Sequence, residues 1–234
     1  MSDTPPPARP TSQPELNVVS DVAGEFAERV VEAFHCRSGE RFGLALTGGP
    51  VAAECYERLA THGETQIDWW RVELFLTDEC GVDASHPDSH ERLVRVMLLD
   101  RVGAAHLFYP LHSEGARQRA QQALLERSLD LIHLDLGADG RLSSLFPGLP
   151  GAFKDPAHPL AEVIATADPL GRAAHQRFCL SPAVIERANC VVVTAVGASV
   201  ADALAAVQRG ADVPGAFLPT GRVVWLADRA AARA

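Results

Sequence analysis

The chain has 234 residues, which suits one α/β domain, and its 47% apolar content is enough for a substantial core. A net charge of -9 without a long basic run argues against a nucleic-acid backbone as partner, although a few placed N–H groups and arginines still suffice for a small anion. Five scattered cysteines, without a CxxC pair, read as reduced cytosolic thiols rather than a disulfide frame or a zinc site, and no apolar stretch approaches the ~20 residues of a membrane span.

Residues 1–14 (MSDTPPPARPTSQP) are polar and proline-rich, which predicts a disordered leader, not a signal peptide, ahead of one domain over 15–234. Residues 21–34 carry Val22, Phe26, Ala27, Val30, Val31 and Phe34 at helical spacing, with Ser20 or Asp21 as N-cap. A buried strand is predicted over 42–46, then Thr47-Gly48-Gly49-Pro50 and a helix over 51–60. Another strand, 72–76, precedes Thr77-Asp78-Glu79-Cys80 and a loop to Ser89. Residues 90–102 and 114–129 read as helices. Leu131, Ile132, Leu134 and Leu136 make a central strand that breaks at Gly137-Ala138-Asp139-Gly140. A long irregular stretch, 149–174, leads to a strand over 177–180, a helical turn or two over 182–188 and a β-branched strand over 190–196. A helix over 201–209, a strand over 223–226 and a helical tail over 228–234 complete the chain. Strands alternating with helices predict a three-layer αβα sandwich with a mainly parallel, Rossmann-like sheet. In such sheets ligands lie beyond the carboxyl ends of the strands. Gly48, Asp78, Asp139, Arg141 and Arg177 each follow or end a predicted strand, so they are expected around one pocket.

Several residues carry two readings each. Gly48 and Gly49 make either an anion cradle at a helix N-terminus or a plain strand-to-helix turn. Asp78 and Glu79 are either acid-base carboxylates at a strand end or helix-capping and loop-holding groups. Arg177, entering on a strand, is either an anion ligand or a partner for an acidic loop. His133 and Asp135 share one face of the central strand. They are either a base with its orienting carboxylate or a satisfied buried polar pair.

GADGRLSSLFPG, residues 137–148, resembles the signature G-x-D-G-H-x-x-S-L-F-P-G of the 6-phosphogluconolactonases. Asp139, Gly140, Ser144, Leu145, Phe146, Pro147 and Gly148 match it; Arg141 stands where the family has its presumed general base, a histidine. Asp78-Glu79-Cys80 with His86-Pro87-Asp88-Ser89-His90 resembles the family's D-E-R and H-P-x-S-N blocks, with Cys80 in place of arginine and His90 in place of asparagine. Arg177-Phe178-Cys179-Leu180-Ser181 resembles R-I-T-L-T, and 197–201 resembles a G-x-x-K-A turn with Val200 in place of lysine. Pro50 follows the glycine pair where the family has serine. Leu218-Pro219 and Trp225 to Ala231 resemble late elements of the same family.

The resemblance implies hydrolysis of a sugar lactone, the family reaction being 6-phosphogluconolactone to 6-phosphogluconate in the pentose phosphate pathway of carbohydrate metabolism. It implies a catalytic set of Asp78, His90, Asp139 and Arg141. It implies substrate contacts at Gly48, Gly49, Ser89, Gly140, Ser144 and Arg177. Arginine stays protonated, so Arg141 implies altered or weakened activity, with Asp78 or His90 the nearest replacement bases by motif. Two alternatives stand beside this: a non-catalytic sugar-phosphate or partner-binding homologue, and an enzyme of the related isomerase or deaminase type. A cytoplasmic monomer or homodimer is expected, with no cofactor, no metal, no nucleic acid and no membrane partner.

Overall fold

A computed structural model describes residues 15–103, 107–125, 127–148, 162–171, 173–218 and 221–233. The expected leader and most of the long irregular stretch lie outside the described residues. In chain order the elements are β1 Glu15–Val18, α1 Val22–Cys36, β2 Phe42–Leu46, α2 Pro50–His62, β3 Val72–Leu76 and β4 Asp78–Cys80. There follow α3 His90–Val94, α4 Asp100–Val102, β5 Leu107–Tyr109, α5 Glu114–Leu125, β6 Leu131–Asp135, β7 Val163–Thr166 and β8 Arg177–Leu180. The last are α6 Pro182–Glu186, β9 Cys190–Ala195, α7 Ala201–Gln208, β10 Val223–Ala227 and α8 Arg229–Ala232.

Seven strands form one parallel sheet in the order β1-β10-β9-β6-β2-β3-β5. β2 and β3 are buried at every residue, because helices cover both faces. On one face Phe26 of α1 and Tyr56 of α2 pack with Leu44, Leu74 and Leu131. On the other, Ile132, Leu134 and Val193 pack with Leu204 of α7. The chain builds outward from β2 through β3 to β5, then returns to β6 on the opposite side of β2. The order therefore reverses between β2 and β6, and their carboxyl ends open onto the crevice where such sheets bind ligands.

Four strands of this fold are not predicted from sequence: β1, β4, β5 and β7. They have three or four residues each, too short to show a period, and gain their order by pairing. α5 also ends at Leu125, short of the expected 129. β4, β8 and β7 form a separate antiparallel sheet. Thr77 joins the two sheets: its N–H donates to Leu46 O at 2.8 Å, and its carbonyl accepts from Leu180 N at 2.8 Å. The antiparallel register sets Cys80 opposite Arg177, so the second sheet is what brings Arg177 to the crevice.

Glu79 fixes how α3 enters. Its Oε1 accepts from Cys80 N at 2.8 Å and His90 N at 2.7 Å; its Oε2 accepts from Glu91 N at 2.8 Å and Ser89 Oγ at 3.1 Å. The free N–H groups of the first turn favour a negative charge there. Glu79→Ala strips the acceptor from three N–H groups, each costing about 1–3 kcal/mol when left unpaired. A loss of about 3 kcal/mol or more in urea unfolding is expected, with Glu79→Gln losing less.

Candidate active site

The site is a chain of side chains across the carboxyl ends of β2, β6 and β9. At its centre is Asp78, buried to 2% exposure. Thr47 donates from Oγ1 to Asp78 Oδ1 at 2.7 Å, and Ser144 donates from Oγ to Oδ2. His90 Nδ1 stands 2.8 Å from the Asp78 carbonyl and 3.3 Å from Oδ1. Burial alone would push the Asp78 carboxyl up. The His90 charge and hydrogen bonds from His90, Ser144 and Thr47 outweigh it and hold the group at about 2. Burial likewise works against a charged His90, yet Asp78 raises it well above the ordinary imidazole range. These two groups form an ion pair. His90 Nδ1 faces only acceptors and so carries a proton.

His90 packs on Gly48: a Cβ at Gly48 would lie 2.1 Å from His90 Cδ2. Gly49 caps α2 at φ 108°, a region that favours glycine. Beyond the imidazole, His90 Nε2 lies 3.3 Å from Arg177 Nη1. Arg177 Nε is buried without a hydrogen-bond partner among the described residues. With Nε2 protonated, both groups are donors, and an anion between them satisfies both.

On the β6 side, Gly140 turns the chain at φ 82° and Ser143 adopts φ 50°. A left-handed serine costs about 1–2 kcal/mol. It is held by Ser143 N donating to Asp135 O at 2.8 Å. Its hydroxyl stands 3.0 Å from Thr47 Oγ1 and accepts from Asp135 N at 3.3 Å. Arg141 folds back over Gly137, which has no Cβ to obstruct it, and pairs through Nη1 with Asp139 Oδ1 at 3.1 Å.

Asp78, His90, Ser144, Gly48 and Arg177 thus share one cluster, and Asp139, Gly140 and Arg141 form the turn beside it. Ser89 is placed otherwise. Its hydroxyl is buried, accepts from Arg92 N at 3.2 Å and donates to Glu79, so it caps α3. Cys80 and Val200 are both buried. Thr47, Ser143, Tyr56 and Thr194 carry the cluster's bonds without standing out in the sequence.

His133 and Asp135 do not pair directly. His133 is fully buried against Phe26, its ring 4.3 Å away, and burial pushes its pKa down to about 3. Its Nδ1 lies 3.0 Å from Tyr56 Oη and its Nε2 3.1 Å from Thr194 Oγ1. Thr194 Oγ1 in turn lies 2.9 Å from Asp135 Oδ1. Tyr56 donates its one proton to Thr47 O at 2.8 Å. His133 thus bridges the two hydroxyls, Nδ1 against the phenol oxygen and Nε2 against Thr194. Thr194 donates from Oγ1 to Asp135 Oδ1, a bond that favours the ionised carboxyl. Burial acts the other way and prevails. It lifts Asp135 to about 6, with the Asp78 charge adding to the rise, against Thr194 and Arg141.

Among the described residues, His86, Asp88 and His175 have ligand atoms within 4.8 Å of one another. They already bond to each other, His86 Nδ1 to Asp88 N at 3.1 Å and His175 Nε2 to Asp88 Oδ2 at 3.2 Å.

The raised Asp135 has a thermodynamic consequence. Its folded pKa exceeds its unfolded one, so its contribution is fully present below about pH 4 and is lost as pH rises through about 6. At about pH 8 the ionised group destabilises the fold. Asp135→Asn should raise the melting temperature relative to wild type at about pH 8, and the gain should vanish at about pH 4.5. A gain independent of pH in differential scanning calorimetry contradicts this account.

The sequence matches the family of glucosamine-6-phosphate isomerases/6-phosphogluconolactonase over residues 14–225. A 6-phosphogluconolactonase of Synechocystis sp. is 30% identical over 208 residues, covering 80% of this chain and 82% of that protein. Another, from Caulobacter vibrioides, is 33% identical over 170 residues, 68% of this chain and 70% of the relative. The solved structure of 6-phosphogluconolactonase from Trypanosoma brucei is similar at a TM-score of 0.78 and 23% identity, covering 95% of this chain and 99% of that one. A monomeric glucosamine-6-phosphate deaminase is similar at a TM-score of 0.76 and 16% identity, covering 94% and 99%. At such identities these two structures establish the fold alone. With the family match running through both the glycine turn and the Asp78 block, this chain belongs to the glucosamine-6-phosphate isomerase/6-phosphogluconolactonase family.

Proposed function

We propose that this protein is a lactone hydrolase of the 6-phosphogluconolactonase type, acting on a sugar-phosphate lactone. The observation that carries the reading is the Arg177–His90 couple. Two donors face each other 3.3 Å apart at the carboxyl edge of the sheet, with His90 kept cationic by Asp78 and Arg177 Nε unpartnered. That is a seat for the substrate's anionic end. The relatives named 6-phosphogluconolactonase support the same reaction class. They favour it over a non-catalytic binding protein or an isomerase.

The chemistry follows from the residues. Lactone opening needs a base to take a proton from water and donors for the oxyanion that forms on the carbonyl. Arg141 cannot be the base, but its guanidinium, beside the glycine turn, suits the oxyanion. Asp139 holds that guanidinium in place. Gly48 and Gly49 supply the close approach at the α2 N-terminus, where Pro50 removes one N–H. Cys80 and Val200 add no cation, so the anion seat rests on Arg177 and His90, and phosphate affinity is modest. Residues 15–234 form one such domain, acting as a cytoplasmic monomer or homodimer without a cofactor.

The test is turnover of freshly generated 6-phosphogluconolactone, with spontaneous opening subtracted. A charge-assisted contact of ~1.5–3 kcal/mol corresponds to ~10–100-fold in binding. Arg177→Ala should therefore raise KM by about that factor while changing kcat much less. An unchanged KM, or no wild-type turnover, overturns the reading.

A further inference from the structure

Resting on the lactonase reading, we infer that Asp135 is the general base of this site, standing in for the histidine that Arg141 has displaced. Geometry comes first. Asp135 ends β6, on the crevice side of the point where strand order reverses. It is half-buried, and among the described residues its Oδ2 has no hydrogen-bond partner while Oδ1 is held by Thr194. Its own N–H reaches Ser143 Oγ, which joins it to Thr47 and Asp78.

The other candidates fail on chemistry. Asp78 has both oxygens engaged and, at about 2, is a weak base. His90 carries its Nδ1 proton toward Asp78 and is held cationic. His133 is sealed in the core with both nitrogens occupied. Asp139 is tied to Arg141. Asp135 alone combines a free carboxylate oxygen with a basicity suited to neutral pH. The charged and titratable groups that act on it are Arg141 from the turn and Asp78 from β4. Cys55 of α2 feels its charge, and His133 lies one threonine away on its own strand.

The step balances. Asp135 Oδ2 takes a proton from water as the water oxygen bonds to the lactone carbonyl carbon. The carbonyl π pair becomes an oxyanion facing Arg141. Collapse breaks the bond to the ring oxygen, which receives the proton back from Asp135, leaving the open-chain acid. Thr194 is a positioning residue: its hydroxyl holds Oδ1 and leaves Oδ2 to exchange the proton.

The experiment measures kcat and KM for 6-phosphogluconolactone across about pH 5 to 8 in wild type, Asp135→Asn and Asp135→Glu. Wild-type kcat should rise with pH through a single limb near 6. Asp135→Asn should lose about 10²–10⁴-fold in kcat with little change in KM, and should lose that limb. Asp135→Glu should keep part of the rate and a shifted limb. Asp135→Asn turning over within a few-fold of wild type, or keeping the limb, overturns the assignment while the hydrolase reading stands. No wild-type turnover overturns both. Circular dichroism melting of each variant at low pH, where Asp135 is protonated, separates lost chemistry from lost fold.

Discussion

The site depends on one buried charge. Asp78 sits at the first residue of β4 with almost no solvent contact, yet stays ionised. A carboxylate in that position is tolerable only when paired and hydrogen-bonded. Thr47 after β2, Ser144 after the glycine turn and His90 at the start of α3 meet that demand from three separate parts of the chain. Removing any one leaves a buried charge short of a partner. The requirement therefore ties the two sheets, the turn and the helix together, and it makes His90 a cation facing Arg177.

A second carboxylate lies close by with the opposite tendency. Asp135 is half-buried, and a single threonine hydroxyl is a poor substitute for an imidazolium. The two acids end at about 2 and about 6 although they influence each other electrostatically. Pairs of acids driven apart by their surroundings divide the labour of a site: one remains a fixed charge, the other exchanges a proton. Asp78 organises; Asp135 is the group proposed to exchange a proton.

How much of this was legible in sequence follows from length and period. α1, β2, β3 and β6 carry five or more residues of consistent apolar pattern, and each was readable within a residue or two. β4 reads Asp-Glu-Cys, which has no strand character of its own; pairing with β8 makes it one. The capping alternative for Glu79 was readable because an acid ahead of a helix suits the free N–H groups. The Thr194–Asp135 contact was not. Its partners lie 59 residues apart and meet through the parallel register of β6 and β9, which no local pattern encodes. The left-handed Ser143 was equally invisible, since serine carries no signature for that conformation.

Stability and chemistry pull against each other at the end of β6. A hydrophobic residue at position 135 would suit a strand covered by α1 and α2, and a left-handed glycine at 143 would relieve the backbone. Instead the chain keeps an acid that destabilises the fold when ionised, and a strained serine whose hydroxyl links Thr47 to the Asp135 N–H. Both costs fall close together, at the reversal point of the sheet, beside the Arg141–Asp139 pair. The general-base role proposed for Asp135 gives both costs a use.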